Sequence, residues 1–160
     1  MRLIIAAVGK LKDGAERELL SKYRDRFDGL ARKLGLAPVL WHETSESRAA
    51  GAAKRREEEG ATLLKLVREA EFLIALDERG KALTSEGLAK MLAKARDGGA
   101  KAAGIVIGGP DGLAEGVRKA AYLQLSLSAL TLPHGLARIV LAEQLYRAAT
   151  ILSGHPYHRA

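Results

Sequence analysis

An α/β fold, with a mostly parallel sheet and helices on both faces, is predicted by three features of the 160-residue chain. Short apolar, β-branched runs alternate with longer segments of helical periodicity. The runs are apolar throughout, the mark of strands buried on both sides, and turn residues, most often glycine or proline, follow them. Arg2 to Val8 is the first such strand and ends at Gly9. Leu19, Leu20, Tyr23, Phe27, Leu30 and Leu34 recur at spacings of three and four, the stripe of an amphipathic helix over Glu16 to Leu34 that Gly35 stops. Pro38 to Glu43 is a short second strand. Ser47 to Arg68 is highly charged, and its helical stripe firms up only from Leu63, so its first half is expected to be mobile. Glu71 to Leu76 is a third strand, cut off by the turn-like Asp77-Glu78-Arg79-Gly80. Thr84 or Ser85 can cap the next helix, which runs through Ala95. Ala102 to Ile107 is a fourth buried strand leading directly into Gly108-Gly109-Pro110-Asp111-Gly112, and a helix follows from Leu113 to Tyr122. The serine-dotted stretch Leu123 to Leu132 has room for a fifth strand. After Pro133 a long helix runs from about His134 to Leu152, and the chain ends in Ser153 to Ala160. No repeat, linker or low-complexity tract divides residues 1–160, which read as one domain.

A chain this long buries about 70% of its unfolded surface and needs no disulfide to hold a core. With 48% hydrophobic and 28% charged residues it has a globular, not a disordered, composition. No apolar run approaches the ~18 residues of a membrane span, and the N-terminal run is too short for an export signal. Zero cysteines exclude disulfides, thiol catalysis and cysteine-ligated zinc, and leave the cytoplasm as the default location. The net charge of +7 is uneven: residues 1–80 hold 16 Lys and Arg against 14 Asp and Glu, residues 81–160 hold 10 against 5. Three of the four histidines also fall in the second half. A polyanion, foremost a nucleic acid, fits this bias; a merely basic surface fits it equally.

In an open parallel sheet ligands bind beyond the carboxyl ends of the strands, which draws attention to the loops after Leu76, Ile107 and Leu132. Gly108 to Gly112 could let a ligand touch backbone, or be only a tight turn. The first loop, Val8-Gly9-Lys10-Leu11-Lys12-Asp13-Gly14, has neither GxGxxG nor GxxxxGK[ST] spacing, which excludes an ordinary Rossmann or P-loop site. The final helix is apolar around much of its circumference, as expected if it is buried against its own sheet and against a second subunit. His134 and Arg138 share one face of it; Glu143, Arg147 and Thr150 lie nearly opposite, with Glu143 and Arg147 spaced as an ion pair. A cation at Arg138 opposes the helix dipole and calls for an anion: a carboxylate elsewhere, an RNA phosphate or a substrate. In the tail, His155 and His158 lack a carboxylate or cysteine and make a poor metal set. Stacking on an unpaired base, with Arg159 on phosphate, suits the tail better; the alternative is a frayed terminus.

Ala7-Val8-Gly9-Lys10, Ile107 to Gly112, Leu125 to His134, Glu143-Gln144-Leu145-Tyr146-Arg147-Ala148 and His155-Pro156-Tyr157-His158 occur in one fixed order. With these segments the chain resembles, over essentially its whole length, the bacterial ribosomal large subunit pseudouridine methyltransferase H family of the SPOUT superfamily. The resemblance implies methyl transfer from S-adenosylmethionine to N3 of a pseudouridine in the helix 69 loop of 23S rRNA within the ribosome, without a metal. It also implies a C-terminal trefoil knot, a homodimer with cofactor sites beside the interface, and a cytoplasmic enzyme. By motif it places the cofactor at Leu76, Gly108 and Ser128, Ala129, Leu130, Thr131, Leu132 and Pro133, in the three loops already singled out. Given that reaction, catalysis is expected of His134, Arg138, Tyr157 and His158, and RNA contact of Arg138, His155, Tyr157, His158 and Arg159, which together would surround the base. Asp111 stands where many members have Glu, and Gly135, an unusual residue after the histidine, is expected to loosen the helix start. Residues 45–60 match the family poorly. Two other functions remain open: a ribosome-binding protein of this fold without methyl transfer, and a related tRNA methyltransferase.

Overall fold

A computed structural model gives the structure of residues 1–159. In chain order it contains β1 (Arg2–Val8), α1 (Ala15–Ala31) extended by a 3-10 turn (Arg32–Leu34), β2 (Leu40–Thr44) and α2 (Ala52–Leu66). β3 (Phe72–Ala82), α3 (Ser85–Asp97), β4 (Ala102–Ile107), α4 (Glu115–Ala120), β5 (Leu123–Ser126) and α5 (His134–Ser153) follow. All five strands are parallel, in the order β2-β1-β4-β3-β5.

The pleat sorts the apolar strand residues into two cores. Leu3, Ile5, Ala7, Ile74, Ala103, Ile105 and Ile107 face α1, α3 and α5, while Ile4, Ala6, Val8, Leu73, Ala75 and Val106 face α2 and α4. β1 and β4 are central and buried almost end to end, which is why their sequences do not alternate. α5 packs on both α1 and α3 as well as the sheet, so Ile139 and Tyr146 on one side of the helix and Leu141 and Ala148 on nearly the opposite one are all buried within one chain. That accounts for most of its all-round hydrophobicity without a second subunit. Leu136 stays exposed, as does Leu130 in the preceding connection.

Several boundaries depart from expectation. Asp77-Glu78-Arg79-Gly80 is not a turn: β3 runs on through it, and pairing with β5 shifts register between Leu76 and Lys81. Gly80 permits this, because a Cβ there would lie 2.6 Å from the Gln124 carbonyl carbon. α4 is shorter than the predicted Leu113 to Tyr122, since Leu113 is buried in the core ahead of it and Ala121 is already extended toward β5. The charged first half of α2 is helical from Ala52 and makes specific contacts described below. Gly35 stops the first helix at φ 67°, and the Thr84 hydroxyl caps α3 by accepting from Gly87 N–H at 3.0 Å.

Candidate active site

At the carboxyl edge of the sheet the ends of β3 and β4 and the connection from β5 to α5 enclose a cleft of about 320 Å³. Its floor is Ile107 with Leu76 and Leu125; Gly108 to Leu113 form one wall, and Ser126 to Ser128 with Leu130 to Leu132 form the other. His134 and Ala137, in the first turn of α5, close one end, and Asp77, Arg79 and Arg118 line a polar side. The size and mixture suit a drug-sized ligand with an apolar body and polar ends.

The glycine loop is shaped by its own packing. Gly112 N–H donates to the Gly109 carbonyl at 2.9 Å, and Gly112 has φ 82°. A Cβ on Gly108 would lie 2.8 Å from Gly112 backbone; one on Gly109 would lie 2.9 Å from Val8 Cγ1 and 3.0 Å from Glu59 Oε2. Side-chain space at both glycines is therefore filled by protein, so close packing of the loop requires them, not ligand access alone. The opposite wall is tied by Ser126 Oγ donating to the Ser128 carbonyl at 2.9 Å, and by Leu130 N–H donating to Ser128 Oγ at 2.9 Å.

Asp77 and Arg118 meet at 2.6 Å on the polar side. Burial alone would raise the Asp77 carboxyl, but the Arg79 N–H, at 2.9 Å, and the Arg118 guanidinium together hold it below its ordinary value. Asp77 therefore stays ionised and fixes Arg118 between α4 and the cleft. Neither residue stands out in the sequence, because Asp77 falls in a stretch of turn-like composition. An acidic residue just past an apolar strand, with basic residues in the next-but-one helix, was the available signal.

Leu76, Gly108, Ser128, Leu130, Thr131 and Leu132 all line the cleft, as does His134. Ala129 and Pro133 belong to the same connection but do not form its lining. Gly135 is buried, and a Cβ there would lie 2.3 Å from Glu16 Oε2. The Glu16 carboxylate thus occupies the start of α5, where no side-chain cap exists, so Gly135 makes room for an anion at the helix's positive end instead of loosening it.

Arg138 corrects the expectation of an RNA or substrate contact. Its side chain is 2% exposed; Nη1 pairs with Glu43 Oε1 at 3.0 Å, and Nη2 donates to the Val8 carbonyl. Burial pulls this guanidinium below its ordinary value, and Glu43 opposes that pull. Glu43 in turn pairs with Arg17 at 2.8 Å and accepts from Leu11 N–H at 3.2 Å. Of the three anions left open, the protein itself supplies the carboxylate, and the guanidinium faces inward to it.

The tail also departs from a single-chain site. Tyr157 donates to Glu143 Oε1 at 3.0 Å and packs tilted against the Tyr146 ring, with Arg147 over its own ring. Burial, the Tyr23 hydroxyl and the Glu143 carboxylate all push its phenol well above its usual pKa, which keeps it a donor. His158 meets Glu86 at 2.8 Å, Tyr157 N–H donates to His155 Nδ1 at 3.2 Å, and Arg159 is exposed. Glu143 lies nine residues along α5 from His134, about 14 Å of helix. One chain does not bring the tail to the cleft.

Among the described residues no group of three or more His, Asp or Glu is placed to hold a metal, and no helix is long and apolar enough to cross a membrane.

Residues 1–158 match a family described as "Predicted SPOUT methyltransferase". The chain is 52% identical over the whole of both chains to a Ribosomal RNA large subunit methyltransferase H from Rhodopseudomonas palustris strain BisB5. It is 54% identical to the protein of that name from Methylobacterium sp. strain 4-46, covering 99% of this chain and 98% of that one. A solved structure of a probable methylase family protein from Haemophilus influenzae superposes with a TM-score of 0.53 at 12% identity, covering 99% of this chain and 70% of that chain, a likeness of fold.

Proposed function

The chain belongs to the SPOUT methyltransferase family, and from that premise we propose that it methylates N3 of a pseudouridine in the helix 69 loop of 23S rRNA, with S-adenosylmethionine as donor. It is a ribosomal RNA methyltransferase of the large subunit, and the observation that carries its site is the cleft beyond β3, β4 and β5. Apolar Leu76, Ile107, Leu125 and Leu132 suit the purine and ribose. The paired Ser126 and Ser128 wall and ionised Asp77 suit the polar and cationic groups. The donor set thus fits the cofactor, to be held by Leu76 and Gly108 and by Ser128 to Pro133.

When bound, the cofactor supplies a sulfonium methyl that is already electrophilic. The protein's part is to align the target nitrogen and favour its deprotonated form. His134, exposed at the cleft end and at the start of α5, is the side chain of this chain best placed to face the base. Arg138 acts behind it by fixing α5 to β1 and β2 through Val8 and Glu43. His155, Tyr157, His158 and Arg159 are proposed to meet the RNA at the cleft of a second copy, in a cytoplasmic homodimer. Supporting this, exposed Leu130 and Leu136 flank the cleft, and the tail falls short of it within its own chain. The proposed knot is formed where the chain after β5 returns as α5 past the β3 and β4 loops.

Calorimetry with S-adenosylmethionine, followed by labelling of ribosomes that lack the modification, tests this reading. Binding without transfer would favour a ribosome-binding protein of the same fold, and label on tRNA alone would favour the tRNA enzyme.

A further inference from the structure

We propose that Arg55 and Glu59, on α2, are positioning residues of the cofactor cleft, holding the Gly108 to Gly112 loop from behind. The inference rests on reading that cleft as the cofactor site. Neither residue lines the cleft. Arg55 reaches across to form a two-pronged pair with Asp111, Nε to Oδ2 at 2.6 Å and Nη2 to Oδ1 at 3.1 Å. This fork fixes direction as well as distance, unlike a single lysine contact. Glu59 is 4% exposed. Its Oε1 accepts from Ser47 N–H at 2.9 Å; its Oε2 is buried without a hydrogen-bond partner and faces the bare Cα side of Gly109.

A buried carboxylate oxygen without a partner is costly and calls for a reason. Here the reason is steric and electrostatic: the carboxylate fills the side-chain space of Gly109 and backs the loop where it turns over the end of β4. Both residues also grip the segment before α2, since Arg55 Nη1 donates to the Ala49 carbonyl at 3.3 Å and Glu59 accepts from Ser47. The charged stretch that the sequence left without a role thus links residues 47–49 to the cofactor loop through two side chains. The Arg55 hydrogen bond holds the Asp111 carboxyl below its ordinary value, as expected of a charged two-pronged pair.

The test is calorimetric titration of the full chain with S-adenosylmethionine, together with steady-state methylation of unmodified ribosomes. Arg55→Met and Glu59→Ala, which empties the space behind Gly109, should each raise the cofactor Kd and KM about tenfold, with a much smaller change in kcat at saturating cofactor and none in the KM for ribosomes. Arg55→Met combined with Asp111→Asn should be no weaker in cofactor affinity than the worse single variant. A merely structural role would instead lower the fraction of binding-competent protein at unchanged Kd, and that result would overturn the proposal. If Arg55→Met fails to fold, Arg55→Lys, which keeps the charge but loses the fork, decides by the same criterion. Wild-type protein that binds no cofactor would overturn the reading of the cleft, and the proposal with it.

Discussion

Arg138 and Glu43 offer a perturbation whose sign separates an internal brace from an RNA contact. Arg138 is almost wholly enclosed, and its charged partners reduce to Glu43, with the Val8 carbonyl as a second acceptor. Glu43, 13% exposed, retains Arg17 and the Leu11 N–H if Arg138 is removed. The two deletions should therefore be unequal. Arg138→Met forfeits one charged hydrogen-bonded pair while its partner stays satisfied, about 2 kcal/mol. Glu43→Met strands a buried guanidinium, about 3 to 5 kcal/mol. The double variant replaces the pair by apolar groups and should be more stable than Glu43→Met alone.

Urea unfolding followed by fluorescence of the single tryptophan, Trp41, at fixed protomer concentration reads these values directly. With an m-value of about 2 kcal/mol/M, the midpoint should fall by about 1 M for Arg138→Met and by about 2 M for Glu43→Met. Suppose instead that Arg138→Met unfolds at the wild-type midpoint while ribosome affinity drops and its salt dependence loses about one phosphate contact. The guanidinium would then be an RNA ligand and the brace would be refuted.

Gly135→Ala should change stability by less than about 1 kcal/mol, since the gain in helix propensity offsets displacement of the Glu16 carboxylate from the α5 terminus. In a Glu16→Ala background the same change should stabilise, and a loss of stability there would show that Glu16 is not the obstacle. Asp77 has a folded pKa below its unfolded value, so its contribution is complete above about pH 4 to 5 and disappears as pH falls through the lowered folded value. The stability gap between wild type and Asp77→Asn should close over that acid range, and a gap independent of pH would contradict the ion pair with Arg118. The raised pKa of Tyr157 has the opposite sign: its anchoring of the tail persists below the unfolded value near 10 and is lost as pH rises through the folded one. Ultraviolet titration should show a phenol ionising well above the usual tyrosine value; its survival in Tyr157→Phe would contradict the assignment.

The central strands were legible because β1 and β4 are buried on both faces and must be apolar at every position. Helix α1 was legible for the converse reason, one stripe facing one core. Asp77 to Gly80 misled because turn-forming composition is local, whereas the strand continues there through pairing with β5, a contact across more than forty residues. Of the cleft, the three loops followed from the parallel sheet alone, since strand ends are where such sheets leave a crevice. The family segments then selected the lining residues Ser128 and Leu130 to Leu132. Arg138 could be narrowed to needing an anion; that the anion is Glu43 depends on the β1–β2 pairing that carries Glu43 beside α5. The part played by Arg55 and Glu59 left no periodic trace, because it depends on which loop α2 crosses.

One measurement bears most directly on the whole account: incubation of the purified chain with methyl-labelled S-adenosylmethionine and ribosomes or 23S rRNA lacking the modification, with the labelled nucleotide then mapped. A single methyl is expected on N3 of a pseudouridine in the helix 69 loop, abolished when the cleft is blocked by a non-reactive cofactor analogue. Label confined to tRNA, or cofactor bound tightly with no methyl transferred to either RNA, would contradict it.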